Sequence, residues 1–187
     1  MSIQLPLGGH SFSGRELDKV VVGNDASLRV VVDTPRCTVV PRELFDVEHP
    51  EKHLSAVGMS PCGNERVVCS VEEDMVAVIA VSDECHNVLM DRFGSRVSFT
   101  TPLFATPLPE QGTVLYLGSK TLYVRVVDGG PRLVEAIEVD GDGDIIYALE
   151  SIHRLYDIYN MYARAEGDVK RLMRLCKGLF RSIELCE

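Results

Sequence analysis

Two stretches of this sequence share one pattern, and that repeat limits the fold more than any other feature. Leu5-Pro6-Leu7-Gly8 runs into Gly9-His10-Ser11-Phe12, and Leu115-Tyr116-Leu117-Gly118 runs into Ser119-Lys120-Thr121-Leu122. In each, an apolar strand ends on glycine and a small polar turn leads into the next strand, the chemistry of a tight hairpin. Both halves also close on a helix followed by a strand. Leu89 to Phe93 precedes Val97-Ser98-Phe99, and Leu175 to Phe180 precedes Ile183-Glu184-Leu185. The expectation is a duplicated unit of the order strand, strand, strand, helix, strand, helix, strand, with an extra hairpin in the first copy.

The first half is rich in short β-branched runs. Val20 to Val22 and Leu28 to Val32 read as strands. Glu65 to Val71 and Met75 to Val81 read as a hairpin turning at Glu72-Glu73-Asp74. Met75 to Val81 is apolar on both faces, which predicts a buried central strand. Ser82 then stands as a helix N-cap, with Asp83 and Glu84 in the first turn and Val88, Leu89 and Phe93 as the apolar face. Gly94 ends that helix, and Arg96 to Thr100 follows as a strand.

Pro102, Pro107, Pro109 and Gly112 break the periodicity, so 101–112 reads as a connector between a first half, 1–100, and a second, 113–187. The second half opens with strands over Thr113–Leu117, Thr121–Val127 and Arg132–Val139, turning at Gly118-Ser119-Lys120 and Asp128-Gly129-Gly130. A helix from Asp144 to Tyr156 places Ile145, Ile146, Leu149, Ile152 and Leu155 on one face. Ile158 to Ala165 reads as a strand. Asp168 caps a last helix carrying Leu172, Met173, Leu175 and Leu179, and Arg181 to Cys186 closes the half as a strand.

Composition excludes several function classes. The apolar fraction of 45% is too high for a disordered chain. The net charge of −9 argues against a duplex or anionic-membrane binder. Its distribution is uneven: residues 1–110 carry 9 basic and 16 acidic groups, and residues 111–187 carry 10 and 12. The longest apolar run has seven residues, against about 20 for a membrane-spanning helix. Met1 to Pro6 has neither a basic nor an apolar leader region, and the six cysteines form no Cys-x-x-Cys pair. Together these features predict reduced thiols and a cytoplasmic location.

The chain resembles a bacterial family of uncharacterised proteins with two ribonuclease-H-like halves, in the arrangement of the actin-like ATPase superfamily. The resemblance rests on Ser2-Ile3-Gln4-Leu5 with Ser11-Phe12-Ser13, and on Asp144-Ile145-Ile146-Tyr147-Ala148-Leu149. It also rests on Val31-Val32-Asp33-Thr34-Pro35 with Val39-Val40-Pro41-Arg42-Glu43-Leu44-Phe45. It implies an α+β fold, each half with a mixed sheet and flanking helices. The chain is shorter than the family leads one to expect, mainly in its second half.

Active members of that superfamily resemble one another in an Asp-x-Gly phosphate loop in each half, whose carboxylates position Mg²⁺ and water. Mg²⁺ is a hard cation that takes oxygen ligands, and phosphoryl transfer depends on it to spread the developing charge. Here the residue two before Gly8 is Pro6, and the residue two before Gly118 is Tyr116. Neither can do the work of a carboxylate. Gly8, Gly9, Ser11, Gly118, Ser119, Lys120 and Thr121 still offer turn N–H groups to an anion, and they are the only cofactor-binding candidates, should a nucleotide be bound. Glu166-Gly167-Asp168 stands where active relatives have a Gly-rich adenosine turn, and its two acids match that role poorly.

Other clusters are weaker. Asp140, Asp142 and Asp144 begin like a Ca²⁺ loop, but Ile145 stands where glycine is needed and Ser151 where glutamate is needed. They read better as a cap for the next helix. His49 and His53, with Glu48 and Glu51, fall one turn apart on a predicted helix from Glu48 to Val57, without a spaced third ligand. Cys85 and His86 are adjacent and point apart on a helix, where a catalytic pair must converge. Asp33 and Asp128 are the carboxylates nearest strand ends with any claim to metal. Lys170, Arg171, Arg174, Lys177 and Arg181 make the last helix locally basic. The sequence therefore predicts no catalytic residue, no cofactor and no resident metal. The reading is a non-catalytic interaction or scaffold protein with a protein partner and no membrane contact; the net charge disfavours nucleic acid, and the basic last helix leaves a local contact with an acidic partner or RNA open. The alternative is a nucleotide binder or weak phosphotransferase with an altered site.

Overall fold

The structure, a computed structural model, describes residues 2–5, 27–107 and 109–185. The predicted strand Val20 to Val22 lies outside the described residues. The chain divides into two compact units, Met1–Ala105 and Thr106–Glu187.

Among the described residues, the first unit holds two three-stranded sheets. In one, β1 (Ser2–Leu5), β2 (Leu28–Val32) and β6 (Val97–Thr100) run parallel in the order β1-β2-β6. In the other, β3 (Cys37–Pro41), β4 (Glu65–Glu72) and β5 (Met75–Ser82) run antiparallel, with β5 in the middle. The β4–β5 hairpin pairs Glu72 with Met75, and Val76 to Val81 are all buried, as the double-faced apolar run requires. Leu54 of helix α1 (Glu51–Ala56) packs with Val78 and Ala80 on one face.

Helix α2 (Asp83–Phe93) begins where Ser82 Oγ accepts from the Cys85 N–H at 3.2 Å, and ends at Gly94, which takes φ 57°. Its buried face is Cys85, Leu89 and Phe93, spaced by four residues. Val88, expected on that face, is exposed because it lies about 100° round from Leu89. The predicted connector begins as structure: Pro102–Phe104 is a buried 3-10 turn, started by Thr101 Oγ1 accepting from the Leu103 N–H. Arg29 fastens it, donating to the Phe104 carbonyl at 2.9 Å and to Thr100 Oγ1 at 3.2 Å. Arg36 and Glu65 form a two-pronged ion pair, both contacts at 2.8 Å, and the Cys62 N–H donates to the same carboxylate.

The second unit is one five-stranded mixed sheet in the order β11-β10-β7-β8-β9. Strands β7 (Gln111–Leu117), β8 (Thr121–Asp128) and β9 (Pro131–Glu138) form an antiparallel meander. β10 (Tyr162–Gly167) then adds parallel to β7, and β11 (Ser182–Leu185) parallel to β10. β7 starts two residues earlier than expected, because Gln111 and Gly112 already pair with Asp128 and Val127. One sheet face buries Leu115, Leu117, Leu122, Val124 and Val126 against helices α3 (Asp142–Tyr156) and α4 (Val169–Leu175).

On α3 the buried stripe is Ile145, Ala148, Leu149 and Ile152. Ile146 and Leu155, expected on that face, are exposed, since they fall roughly 80–100° round from Ile145. The strand expected from Ile158 is instead a 3-10 turn, Ile158–Asn160, and β10 starts only at Tyr162. Asp157 causes this by adopting left-handed backbone, φ 50°, which turns the chain out of the helix. Helix α4 ends at Leu175, so Leu179 lies beyond it, and Met173 is exposed.

Two consequences are measurable. Gly167 has φ 74°, and a Cβ there would overlap the Leu117 carbonyl. Gly167→Ala should destabilise by at least about 2 kcal/mol in denaturant unfolding; a change within 0.5 kcal/mol, about that of an ordinary surface substitution, would contradict the packing described. Burial alone pushes the Glu65 carboxyl up, but Arg36 and the Cys62 N–H outweigh it and hold it below the usual range. A lowered folded-state value contributes stability above the ordinary glutamate range and loses it as pH falls through the folded value. The stability difference between the native chain and Glu65→Gln should therefore be full at neutral pH and shrink in acid below about pH 4.

Candidate functional site

The second unit contains the described half of the predicted phosphate-loop pair. Gly118, Ser119, Lys120 and Thr121 close the β7–β8 hairpin. The Gly118 N–H is taken within the turn by the Thr121 carbonyl, at 2.9 Å. The Lys120 carbonyl accepts from the Val139 N–H at 2.9 Å, and the Lys120 ammonium lies 4.0 Å from Asp140. Thr121 Oγ1 is buried without a hydrogen-bond partner among the described residues. Gly8, Gly9 and Ser11 lie outside the described residues, as does Pro6.

Tyr116, two residues before Gly118, stands opposite Tyr123 in the ladder. The rings meet edge to face, with centroids 5.7 Å apart. Tyr123 is fully buried. The position two before Gly118 is thus filled by a packed aromatic.

The structure brings Glu166-Gly167-Asp168 to this turn. Gly167 pairs with Leu117 across the parallel ladder, and the Asp168 N–H donates to the Leu117 carbonyl at 2.9 Å. Asp168 Oδ1 caps α4 by accepting from the Arg171 N–H. Glu166 is buried and accepts from Thr106 Oγ1 at 3.0 Å. Arg125, which the sequence reading passed over, belongs to the same set. It is buried, and donates to the Thr106 carbonyl and to Thr106 Oγ1, both at 2.6 Å. Its signal was available: a single cation inside the apolar run of β8 must find acceptors when buried.

The remaining candidates resolve into structural roles. Asp144 reaches back to accept from the N–H groups of Asp140 and Gly141 and caps α3. Asp142 accepts from Arg171 at 2.6 Å and Arg174 at 2.7 Å, tying the two helices together. Arg181 lies over the Tyr162 ring, so three of the five cations of the basic segment serve the second unit itself. The expected helix from Glu48 is shorter, starting at Glu51. His53 Nε2 accepts from the Asp46 N–H at 3.0 Å, which occupies a nitrogen a metal would need, and His49 contacts Glu51.

Burial pushes the Cys85 thiol up to about 11, with Glu84 adding to it, and the His86 ring stacks on Phe99. Burial likewise raises Cys37 to about 12 and Cys176 to about 11, so none of the three supplies a thiolate at neutral pH. Asp33 is buried at the end of β2, in the first unit. Asp128 lies in the second, where it accepts from Gln111. Among the described residues no three His, Cys, Asp or Glu side chains converge as a metal set. No helix among them is long and apolar enough to cross a membrane.

No family model matches this sequence, and no curated protein matches it. Solved structures do. A Bacteroides thetaiotaomicron protein described as having an actin-like ATPase fold and unknown function aligns with a TM-score of 0.70 at 15% identity, over 86% of this chain and 68% of that one. The cytoplasmic domain of EpsL, an inner membrane component of the Vibrio cholerae type II secretion system, aligns at 0.44 and 14%, over 87% and 66%. An AlfA filament bound to AMPPNP aligns at 0.37 and 11%, over 92% and 55%. The last two likenesses are too loose to carry an argument. The first shows the fold: this chain has the actin-like ATPase fold.

Proposed function

We propose that this chain is a non-catalytic interaction protein of the bacterial cytoplasm, built from two ribonuclease-H-like halves joined across 101–112, whose phosphate loops have lost their acids. The second unit supports the two-half reading: its meander followed by helix, strand, helix and strand is the order expected of each half. The observation that carries the functional reading is Tyr116. An aromatic packed edge to face on Tyr123 cannot hold Mg²⁺ or orient water. The Gly118 N–H, which an anion would need, is already taken inside the hairpin.

The alternative, a nucleotide site of altered chemistry, draws support from one atom, the unpartnered Thr121 hydroxyl at the same turn. Melting with and without Mg·ATP and Mg·ADP separates the two. A ligand at 100 times its Kd stabilises by about 2.7 kcal/mol, several degrees for a chain of this size. The expected outcome is no shift at millimolar nucleotide, and a clear shift abolished by a bulky residue at Gly118 would overturn the proposal. Thr121→Val supplies a second reading. Removing a buried, unpaired hydroxyl should leave stability unchanged or raise it by up to about 1 kcal/mol, with nucleotide and without.

A further inference from the structure

A sheet ends in strands whose outer N–H and C=O groups are unpaired, and natural sheets blunt such edges with short length, proline, charge or a bulge. Most of the described edges are blunted in these ways. β1, β6 and β11 have four residues each, and β3 has five and ends on Pro41. β9 starts at Pro131, carries Glu135 in its middle, and meets β8 through a bulge at Val126 and Val127. β4 differs. It runs for eight residues, pairs with β5 on one side and forms the edge of its sheet on the other. Between Arg66 and Glu72 it reads Val67-Val68-Cys69-Ser70-Val71, with no charge, no proline and an unbroken register to β5. Cys69 is exposed, and so is Val71.

This strand is complementary to itself. When two identical strands pair antiparallel about a two-fold axis, facing residues lie on the same side of the sheet, so the axis passes through a residue. With the axis on Cys69, Arg66 faces Glu72 of the second copy at both ends, Val67 faces Val71, and Val68 faces Ser70. An axis on Val68 sets Glu65 against Val71 and Arg66 against Ser70, and an axis on Val67 or Ser70 pairs a shorter stretch of the strand. Opposite charges facing across a ladder stabilise it and like charges destabilise it, so the two ends select Cys69. The local contacts of these groups leave room for the new ones. Arg66 meets Asp83 through Nε, at 2.7 Å, and a guanidinium has further donors. Glu72 meets Arg29 at 3.4 Å through Oε2. Ser70 bonds Thr100 through its side chain, not through the backbone edge. Glu65, beyond the paired stretch, is held by Arg36.

We infer that β4 is where a second copy of this chain adds, antiparallel and centred on Cys69, to join the two three-stranded sheets into one. Backbone hydrogen bonds along the edge supply the affinity, and the side-chain pairs fix the register. A second copy is the occupant because its own sequence meets both charged ends at once. The inference goes beyond the interaction-protein reading and does not rest on it, since a nucleotide binder would pair in the same way.

The test is sedimentation of the full chain in reducing buffer. A monomer should give way to a dimer as concentration rises through about 1–100 μM, the weakness expected of an interface below the standard size. Arg66→Glu places like charges opposite each other at both ends, and so does Glu72→Arg. Each variant alone should dimerise about tenfold more weakly, an effect sized for two exposed pairs. An equimolar mixture of the two should regain the native affinity, because the mixed dimer has opposite charges at both ends. A merely structural role for either residue would give no such recovery. Mild oxidation of the native chain by copper phenanthroline should link two copies through Cys69 of each, identified by mass spectrometry. Facing residues in an antiparallel ladder have Cα atoms about 4.5–5.5 Å apart, inside the range of a disulfide. Oxidation needs no variant, so it decides the question even where a charge change prevents folding. The inference is overturned by a chain still monomeric at about 500 μM, well above the range of such weak interfaces. It is also overturned by a dimer linked only through other cysteines, or by a mixture that pairs no more tightly than either variant alone.

Discussion

The second unit depends on how closely β10 can lie against β7. That parallel pair is bracketed by two glycines. A Cβ on Gly112 would sit 2.8 Å from the Tyr162 carbonyl at one end, and one on Gly167 would overlap the Leu117 carbonyl at the other. Both glycines have positive φ, so both sterics and backbone conformation exclude larger residues. With those ends closed, Ala163 and Ala165 of β10 are small and buried, and Ala165 packs in the core with Leu115 and Leu117. The same approach lets Asp168 bond the last β7 carbonyl and start α4.

This closeness sets what the candidate site can do. The hairpin turn and the Glu166–Asp168 turn meet, and a backbone donor of each is engaged within the unit. The Gly118 N–H serves the hairpin, and the Asp168 N–H serves Leu117. Nearby acids cap α4 or bond Thr106.

Local physics made much of the fold readable. The apolar run Met75 to Val81 could only be a strand buried on both faces, and it lies between β3 and β4. Ser82 caps α2, Asp168 caps α4, and Gly94 stops a helix, each through contacts within a few residues. Three of the misread residues share one cause. Val88, Ile146 and Leu155 are apolar and close to a helical stripe, and only the position of the sheet beneath decides which edge of a stripe is covered. The turn at 158–160 was hidden because its apolar residues look like a strand unless Asp157 is seen to reverse the chain.

The sequence by itself determined most of the described strands, the caps of α2 and α4 and the described hairpin turns, because these follow from hydrogen bonds and torsions between near neighbours. It also determined the absence of an acid before Gly8 and Gly118. Tertiary structure alone decided that β10 inserts beside β7 and so joins the two turns. It also buried Arg125 on Thr106. These depend on which distant segments meet. Pairing of that range is set by packing between whole elements, which no short window of residues encodes.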